Sequence, residues 1–393
     1  MVNEMYIYIG MLTYFVFIGY ALFVNREDSF GKRKIFLVLS AVSMMIIMGC
    51  RDVHVGTDTI SYGNYFRQVS EISWLDCVLS RGTALKNAPF YLLWSKVVLI
   101  FSGGNYQFFL ILNAIIICGA VFYFIYENSN HVVMSTFLYV LGYYYLNSLN
   151  ASRQYMSFSF MLVAYTFMRK NKKKKAFLFT ALGIGIHVVS ICFLPVIILA
   201  SNRIERRILK KVYGYCIICS CITGSLWSLQ FIFGINYFTD LWSRIARNFV
   251  KIFPKYKAYL WNSGVSIYAT GEGKKIYLEI FYLLFVLTAI CIIYFSKNVS
   301  EKKKDYLLDM LIPSSVGVVM GIIGAKLLLI SRIELYFSVF TICLIPEVLF
   351  LFEKKYRYLT VIVTLGIMFI PFYMQLDSNI SEVVPYVWFW EAE

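Results

Sequence analysis

Apolar runs of about 20 residues, the length an α-helix needs to cross a hydrocarbon core of ~30 Å, recur from Met5 to Gln375 with short basic breaks between them. The pattern predicts spans over 5–24, 35–50, 107–126, 132–147, 151–168, 212–234, 276–296, 306–330, 335–352 and 358–375. Two stretches depart from it. Residues 89–101 offer only about a dozen apolar positions, interrupted at Ser95-Lys96, which suits an interfacial or re-entrant helix. Residues 176–201 lie between two basic loops and must enter and return within 26 residues, with Gly183-Ile-Gly185-Ile-His187 as a natural break. Two short helices meeting at His187 are expected there. Such a break is tolerated in a membrane only where the freed backbone is buried in protein or lines a polar cavity. The fold class is therefore all-α: a polytopic membrane protein of about 12 membrane helices, with residues 1–393 as one domain.

Composition agrees, since 60% of the chain is hydrophobic and 15% charged, against about 25% charge in soluble domains. The first run ends in Asn25-Arg26 without a small-residue cleavage site and reads as a retained span. The connectors 25–34, 169–175, 202–211, 297–305 and 353–357 carry net charges of +2, +6, +4, +2 and +2, more in total than the +15 of the whole chain. By the positive-inside rule they are cytoplasmic, so the basic balance speaks for membrane topology and not for nucleic acid. Residues 51–105, the 147–154 turn, the long loop 235–275, the turn Ser331-Arg332-Ile333-Glu334 and the tail 376–393 are then external. A crossing by 89–101 would reverse the side of 169–175, the most basic connector, so that segment is expected not to cross. The segments 51–105 and 235–275 form a lid over an outward-facing cavity. The nine cysteines lie almost wholly within apolar runs and show neither a disulfide framework nor metal-ligand spacing.

Ionisable groups are costly near a bilayer and tend to face a cavity or pair with one another. Four parts of the chain bring theirs to the external face: Arg51, Asp52, His54 and Asp58; Arg153 and Gln154; His187; and Arg332 with Glu334. Each also has a plainer reading. Asp58 or Thr57 is placed to cap a helix whose Tyr62, Tyr65, Phe66, Val69 and Ile72 share one face, and Gly56 suits a turn with positive φ. Arg51 is also an arginine that snorkels past lipid. His187 is also a packed, hydrogen-bonded histidine, and Arg332 pairs with Glu334 across their own turn. Arg244, Arg247, Lys251 and Lys255 form a cationic stripe if 238–258 is helical, suited either to anionic headgroups or to an anionic substrate. Tyr143-Tyr144-Tyr145, Trp227, Trp242, Trp261, Trp388 and Trp390 read mostly as an interfacial belt, with a minority suited to stacking on sugars.

No P-loop, HExxH, GxSxG, nucleotide fingerprint or Cys/His metal cluster occurs in the sequence. A nucleotide-driven pump and a cytoplasmic sugar-nucleotide transferase are thereby disfavoured, and no cofactor is expected. The chemistry belongs on the outer face, without ATP, on a substrate that arrives already activated. A transporter of the flippase type is the competing class, since transporters also have broken helices and cavity-facing charge.

The sequence resembles the EpsG family of exopolysaccharide polymerases, a branch of the Wzy-type oligosaccharide polymerases with a GT-C-like membrane fold. The resemblance rests on Arg51 through Phe66, read as R-x-x-x-V-G-T-D-T-x-x-Y-x-x-x-F; on Asn150-Ala-Ser-Arg153-Gln154; on His187 after the 169–175 loop; and on Ser331-Arg332 through Tyr336-Phe337. The chain departs from the family where an acidic residue often precedes the interfacial helix, reading Asn87-Ala88-Pro89-Phe90 instead. The resemblance implies an inverting, metal-independent glycosyl transfer. A growing glycan moves from polyprenyl diphosphate onto the sugar hydroxyl of an incoming lipid-linked repeat unit, at the external face of the bacterial cytoplasmic membrane. An O-antigen ligase-like transferase shares this chemistry and differs in acceptor. The implied partners are the polyprenyl-diphosphate-linked oligosaccharide, the bilayer, and chain-length regulator and flippase proteins. Asp58, Asp52 and His187 become candidates for the base that activates the hydroxyl. Arg51, Arg153, Gln154, Arg332, Tyr62, Arg244, Arg247 and Lys251 become candidates for holding the substrate and its diphosphate.

Overall fold

A computed structural model describes residues 5–23, 29–83, 85, 87–201, 214, 248, 251, 273–324, 328–379 and 381–391. Among these residues the regular structure is helical, joined by one isolated antiparallel bridge between Arg51 and Trp388. Among them, five helices are long and apolar enough to cross a membrane, and shorter apolar helices accompany them. The chain divides into two compact units, Met1–Ile204 with Leu349–Glu393, and Glu205–Val348.

The first unit starts with α1 (Tyr6–Phe23) and α2 (Phe30–Gly49). Ser29 caps α2 by accepting the Lys32 N–H at 3.4 Å, which satisfies one donor of the first turn. After a polar loop come α3 (Thr59–Gln68), a 3₁₀ turn over Val69–Glu71, α4 (Trp74–Leu79) and α5 (Pro89–Ser102). On the face predicted for α3, Phe66, Val69 and Ile72 are buried while Tyr62 and Tyr65 lie at its margin. Pro89 occupies the start of α5, where the N–H it lacks has no helical partner. Asn105 then caps α6 (Tyr106–Asn128), accepting the Phe108 N–H at 3.1 Å.

The apolar run 132–147 is not one helix. α7 (Val132–Leu141) ends at Gly142, Tyr143 turns to φ +64°, and a separate α8 (Tyr144–Asn150) carries the chain to the Asn150 turn. α9 (Ser152–Arg169) lies in the core of the unit, with Ser157, Ser159 and Thr166 buried along it. Ser159 returns its hydroxyl to the Tyr155 carbonyl at 2.7 Å, the usual way a helix hides such a group from an apolar surround. α10 (Lys173–Ile186) packs against α9 and α5 so closely that its two glycines leave no room for side chains. A Cβ on Gly183 would lie 2.7 Å from Met161 Sδ, and one on Gly185 would lie 2.2 Å from the Phe90 ring. The helix stops at Ile186, His187 is extended, and a 3₁₀ turn over Val188–Phe193 leads into α11 (Leu194–Leu199). The predicted break thus appears in the backbone at His187.

In the second unit, α12 (Gly273–Phe295) precedes α13 (Glu301–Gly324), α14 (Leu328–Ser338) and α15 (Thr341–Leu349). α13 and α14 meet at Gly317, where a Cβ would sit 2.4 Å from the Ser338 nitrogen. Lys303 pairs with the fully buried Glu347, joining α13 to α15. The turn predicted at Ser331-Arg332-Ile333-Glu334 is corrected: all four residues lie inside α14. The charges that read as a break are carried by a helix whose next turns, from Glu334 to Phe337, are buried. The segments 212–234 and 235–275 lie outside the described residues apart from positions 214, 248, 251, 273, 274 and 275.

The chain returns to the first unit with α16 (Lys354–Ser378), which packs on α7, and ends in a tail over 381–391. The tail is bound to the loop between α2 and α3. Asp52 N–H donates to Val387 O at 2.9 Å, Phe389 N–H to Cys50 O at 3.0 Å and Gly56 N–H to Glu382 O at 2.8 Å. Two buried tyrosines add to this: Tyr8 donates to Val383 O and Tyr386 donates to Ile47 O, each at 2.8 Å.

Candidate active site

The polar loop between α2 and α3 is built around Arg51. Its side chain is buried, and its guanidinium donates to three carbonyl oxygens: Met48 at the end of α2, Val55 in the loop at 3.3 Å, and Leu149 at the end of α8 at 2.9 Å. Carbonyls at helix C-termini lack helical partners and carry partial negative charge, so a buried cation is well placed there. Arg51 therefore fastens the loop to the α8–α9 turn. Gly56 completes the fit at φ +99°, where a Cβ would lie 2.9 Å from Thr59 Oγ1 and 3.0 Å from Leu149 O. The positive φ expected of this glycine is observed, and the close approach to α8 excludes a side chain as well.

Asp58 stands at the N-cap position of α3 but makes no side-chain cap bond. Its backbone N–H donates to Asn150 Oδ1 at 2.8 Å, and Thr59 instead secures the turn by donating Oγ1–H to Val55 O at 2.8 Å. Two of the four stretches that carry the family resemblance are thus joined through Asp58 to Asn150, and Arg51 bonds Leu149, the residue just before the second of them. Tyr106 holds the start of α3 from α6 by donating to Thr59 O at 2.8 Å. Tyr62 meets the buried Tyr91 of α5 edge-on, with ring centroids 6.2 Å apart.

Asp52 is committed differently. Its Oδ1 accepts the His54 N–H at 2.9 Å and lies 2.6 Å from His54 Nδ1. The carboxylate is 10% exposed whereas the imidazole is 74% exposed, so a sheltered anion orients a histidine presented to the surroundings. Burial pushes the Asp52 carboxyl up, but hydrogen bonds from the His54 backbone and ring and from Val53 outweigh it, and the group stays below the usual carboxylate range.

Arg153 is the second residue of α9, three positions beyond Asn150, and is half-buried. Among the described residues it makes no hydrogen bond or ion pair, and its Nε is shut away from solvent without an acceptor. Among the described residues no carboxylate pairs with it at the positive end of a helix, where a cation is disfavoured. An anion between this guanidinium and the first turn of α9 would satisfy both. Gln154 beside it is buried. His187 caps the end of α10 and is held from α9 by Ser157, whose hydroxyl donates to Gly183 O at 2.7 Å and reaches His187 O at 3.5 Å.

The other candidates belong to the second unit. Arg332 is exposed on α14 of the second unit. Arg244 and Arg247 lie outside the described residues, and Lys251 is exposed. Sequence reasoning overlooked Lys96, read only as an interruption of an apolar run. Its side chain is buried in α5 and donates to Val69 O at 3.1 Å and to Ile72 O, with the Trp74 ring 5.7 Å away. Lys96 thereby closes the end of the α3 segment onto α5. A lone lysine in the middle of an apolar helix was the available signal.

The EpsG family model matches residues 34–388, from within α2 to the tail residue that bridges Arg51. No curated protein and no solved structure matches the chain.

Proposed function

Because the chain belongs to the EpsG family, we propose that it is an exopolysaccharide polymerase acting on lipid-linked repeat units at the external face of the bacterial cytoplasmic membrane. In this reading the chain is one membrane domain of about 12 helices, with the polar loop between α2 and α3 facing outward. The growing glycan is the donor. The acceptor hydroxyl loses its proton to a base, its oxygen bonds to the anomeric carbon with inversion, and the polyprenyl diphosphate leaves with the bonding electron pair. No metal takes part.

The observation that carries this reading is Arg153, half-buried and without a hydrogen-bond or ion-pair partner among the described residues, at the start of α9 beside the turn that holds Asp58. A departing diphosphate develops negative charge, and a preorganised guanidinium stabilises that charge at little reorganisation cost. Asp58 suits the role of base, because it is a carboxylate at the start of α3 whose backbone is fixed by Asn150 on the turn that leads to Arg153. Positioned general-base help is worth ~10²–10⁴-fold. Arg51 acts through position, since its guanidinium hydrogens already serve backbone carbonyls. Tyr62, Gln154 and His187 line the substrate's path, and Arg332, Arg244, Arg247 and Lys251 are further candidates for holding the charge of the substrate.

The test is a strain lacking this chain, complemented with Asp58→Asn or Arg153→Ala, with lipid-linked glycan resolved by length and membrane leaflet. Single repeat units accumulating on the outer leaflet support the polymerase. Units retained on the cytoplasmic leaflet would favour a flippase, and long glycan in both variants would remove these residues from the reaction.

A further inference from the structure

The tail that crosses the Arg51 loop ends in an aromatic ladder with an uncovered face. Tyr386 meets Trp388 edge-on at 4.9 Å, and Trp388 and Trp390 lie 4.8 Å apart with their planes within 11°. Phe389 braces Trp390 edge-on at 4.9 Å. The turn beneath them is closed by Glu391 N–H to Trp388 O at 2.9 Å and by Trp388 N–H to Glu391 Oε2 at 3.2 Å. Trp390 is nevertheless 58% exposed, a large apolar surface left open on a backbone pinned to the candidate active site.

We propose that Trp390, backed by Trp388, is a glycan subsite that stacks on a pyranose ring of the lipid-linked oligosaccharide. This rests on the polymerase reading for the identity of the glycan. One face of a pyranose presents several C–H groups whose partial positive charge matches the negative face of an indole, while its hydroxyls stay at the rim in water. Preorganisation strengthens the fit, because the ring pair is already stacked and the turn already closed, so little side-chain freedom is lost on binding. The bridge from Trp388 to Arg51 ties the platform to the loop that carries Asp52 and Asp58. An interfacial anchor for lipid headgroups is the competing occupant. Anchors on anionic membranes carry Lys or Arg beside their aromatics, whereas residues 381–393 contain Glu382, Glu391 and Glu393 and no cation. A neutral or polar sugar face tolerates those carboxylates.

The test uses the full chain in phosphatidylcholine nanodiscs, titrated with the repeat-unit oligosaccharide cleaved from the polysaccharide of the same cells. Trp390→Ala is expected to raise Kd on the order of tenfold, the scale of one lost aromatic contact, and Trp390→Phe to raise it less. Equal membrane levels and equal Tm keep the comparison one of binding. Unchanged glycan affinity in Trp390→Ala overturns the proposal, and does so equally if the variant is held less firmly in the bilayer, which would assign the ring to headgroups. The two readings fail separately. Wild-type protein that binds the oligosaccharide through Trp390 yet never joins repeat units contradicts the polymerase and leaves the subsite standing.

Discussion

The backbone N–H of Asp58 donates to Oδ1 of Asn150 at 2.8 Å, across 92 positions of sequence. That bond places the first residue of the α3 entrance on the turn that begins α9, and with it brings Asp58 toward the helix end that carries Arg153. Asn150→Ala removes the acceptor while leaving both side chains of interest untouched. The expected cost is about 1 kcal/mol of stability and a larger fall in polymerisation, because the carboxylate loses its fixed backbone. Glycan length in complemented cells and Tm in detergent measure the two effects.

Arg51 and Arg153 are expected to part company on substitution. Arg51→Ala strips three carbonyl oxygens of their donor in a buried place and is expected to cost about 2–4 kcal/mol, seen as a lower Tm and less protein in the membrane. Arg51→Lys rescues little, since one ammonium cannot reproduce the spread of the guanidinium. Arg153→Ala is expected to fold normally and to lose ~10²-fold or more in polymerisation rate, the scale of one lost charge-stabilising group.

Gly56→Ala is expected to destabilise by about 1–3 kcal/mol, because an L-residue at φ +99° is strained and the added Cβ also meets Leu149 O. Thermal unfolding of the purified variant checks this. A Tm equal to wild type would mean that the loop does not sit on α8 as described.

Asp52 gives a pH dependence with a definite sign. Its native carboxyl titrates below the ordinary range of ~4, so the folded state prefers the ionised form. The resulting stabilisation is present above the unfolded value and is lost as pH falls through the native value. Asp52→Asn is therefore expected to lower Tm at neutral pH and to flatten its decline below about pH 4. Equal acid sensitivity in wild type and variant would contradict the bond to His54.

Much of the fold was legible because the forces that shape it are local. Apolar runs located α1, α2, α6, α9 and α16, and glycine spacing located the break at His187. The loop's need for a glycine at 56 was readable as well. Three features were not. Nothing in the run 132–147 announces that Tyr143 takes a left-handed conformation and splits it. The charges at 331–334 looked like a turn, but a helix tolerates them where tertiary packing decides its ends. The tail's pairing with the Arg51 loop is a contact over more than 330 residues, set by backbone hydrogen bonds that leave no residue pattern. At the site, residue types were readable and commitments were not. Arg51, Asp52 and Arg153 look alike as charges in sequence, yet one bonds carbonyls, one orients a histidine and one has no partner among the described residues.

The most direct measurement is made on the purified full chain in nanodiscs, supplied only with lipid-linked repeat units from cells that lack it. The expected result is a ladder of lengthening glycan with one polyprenyl diphosphate released per linkage, slowed ~10²-fold or more by Arg153→Ala at unchanged Tm. Repeat units that stay single with the wild-type chain, or a ladder that grows at the wild-type rate in Arg153→Ala, would contradict the account.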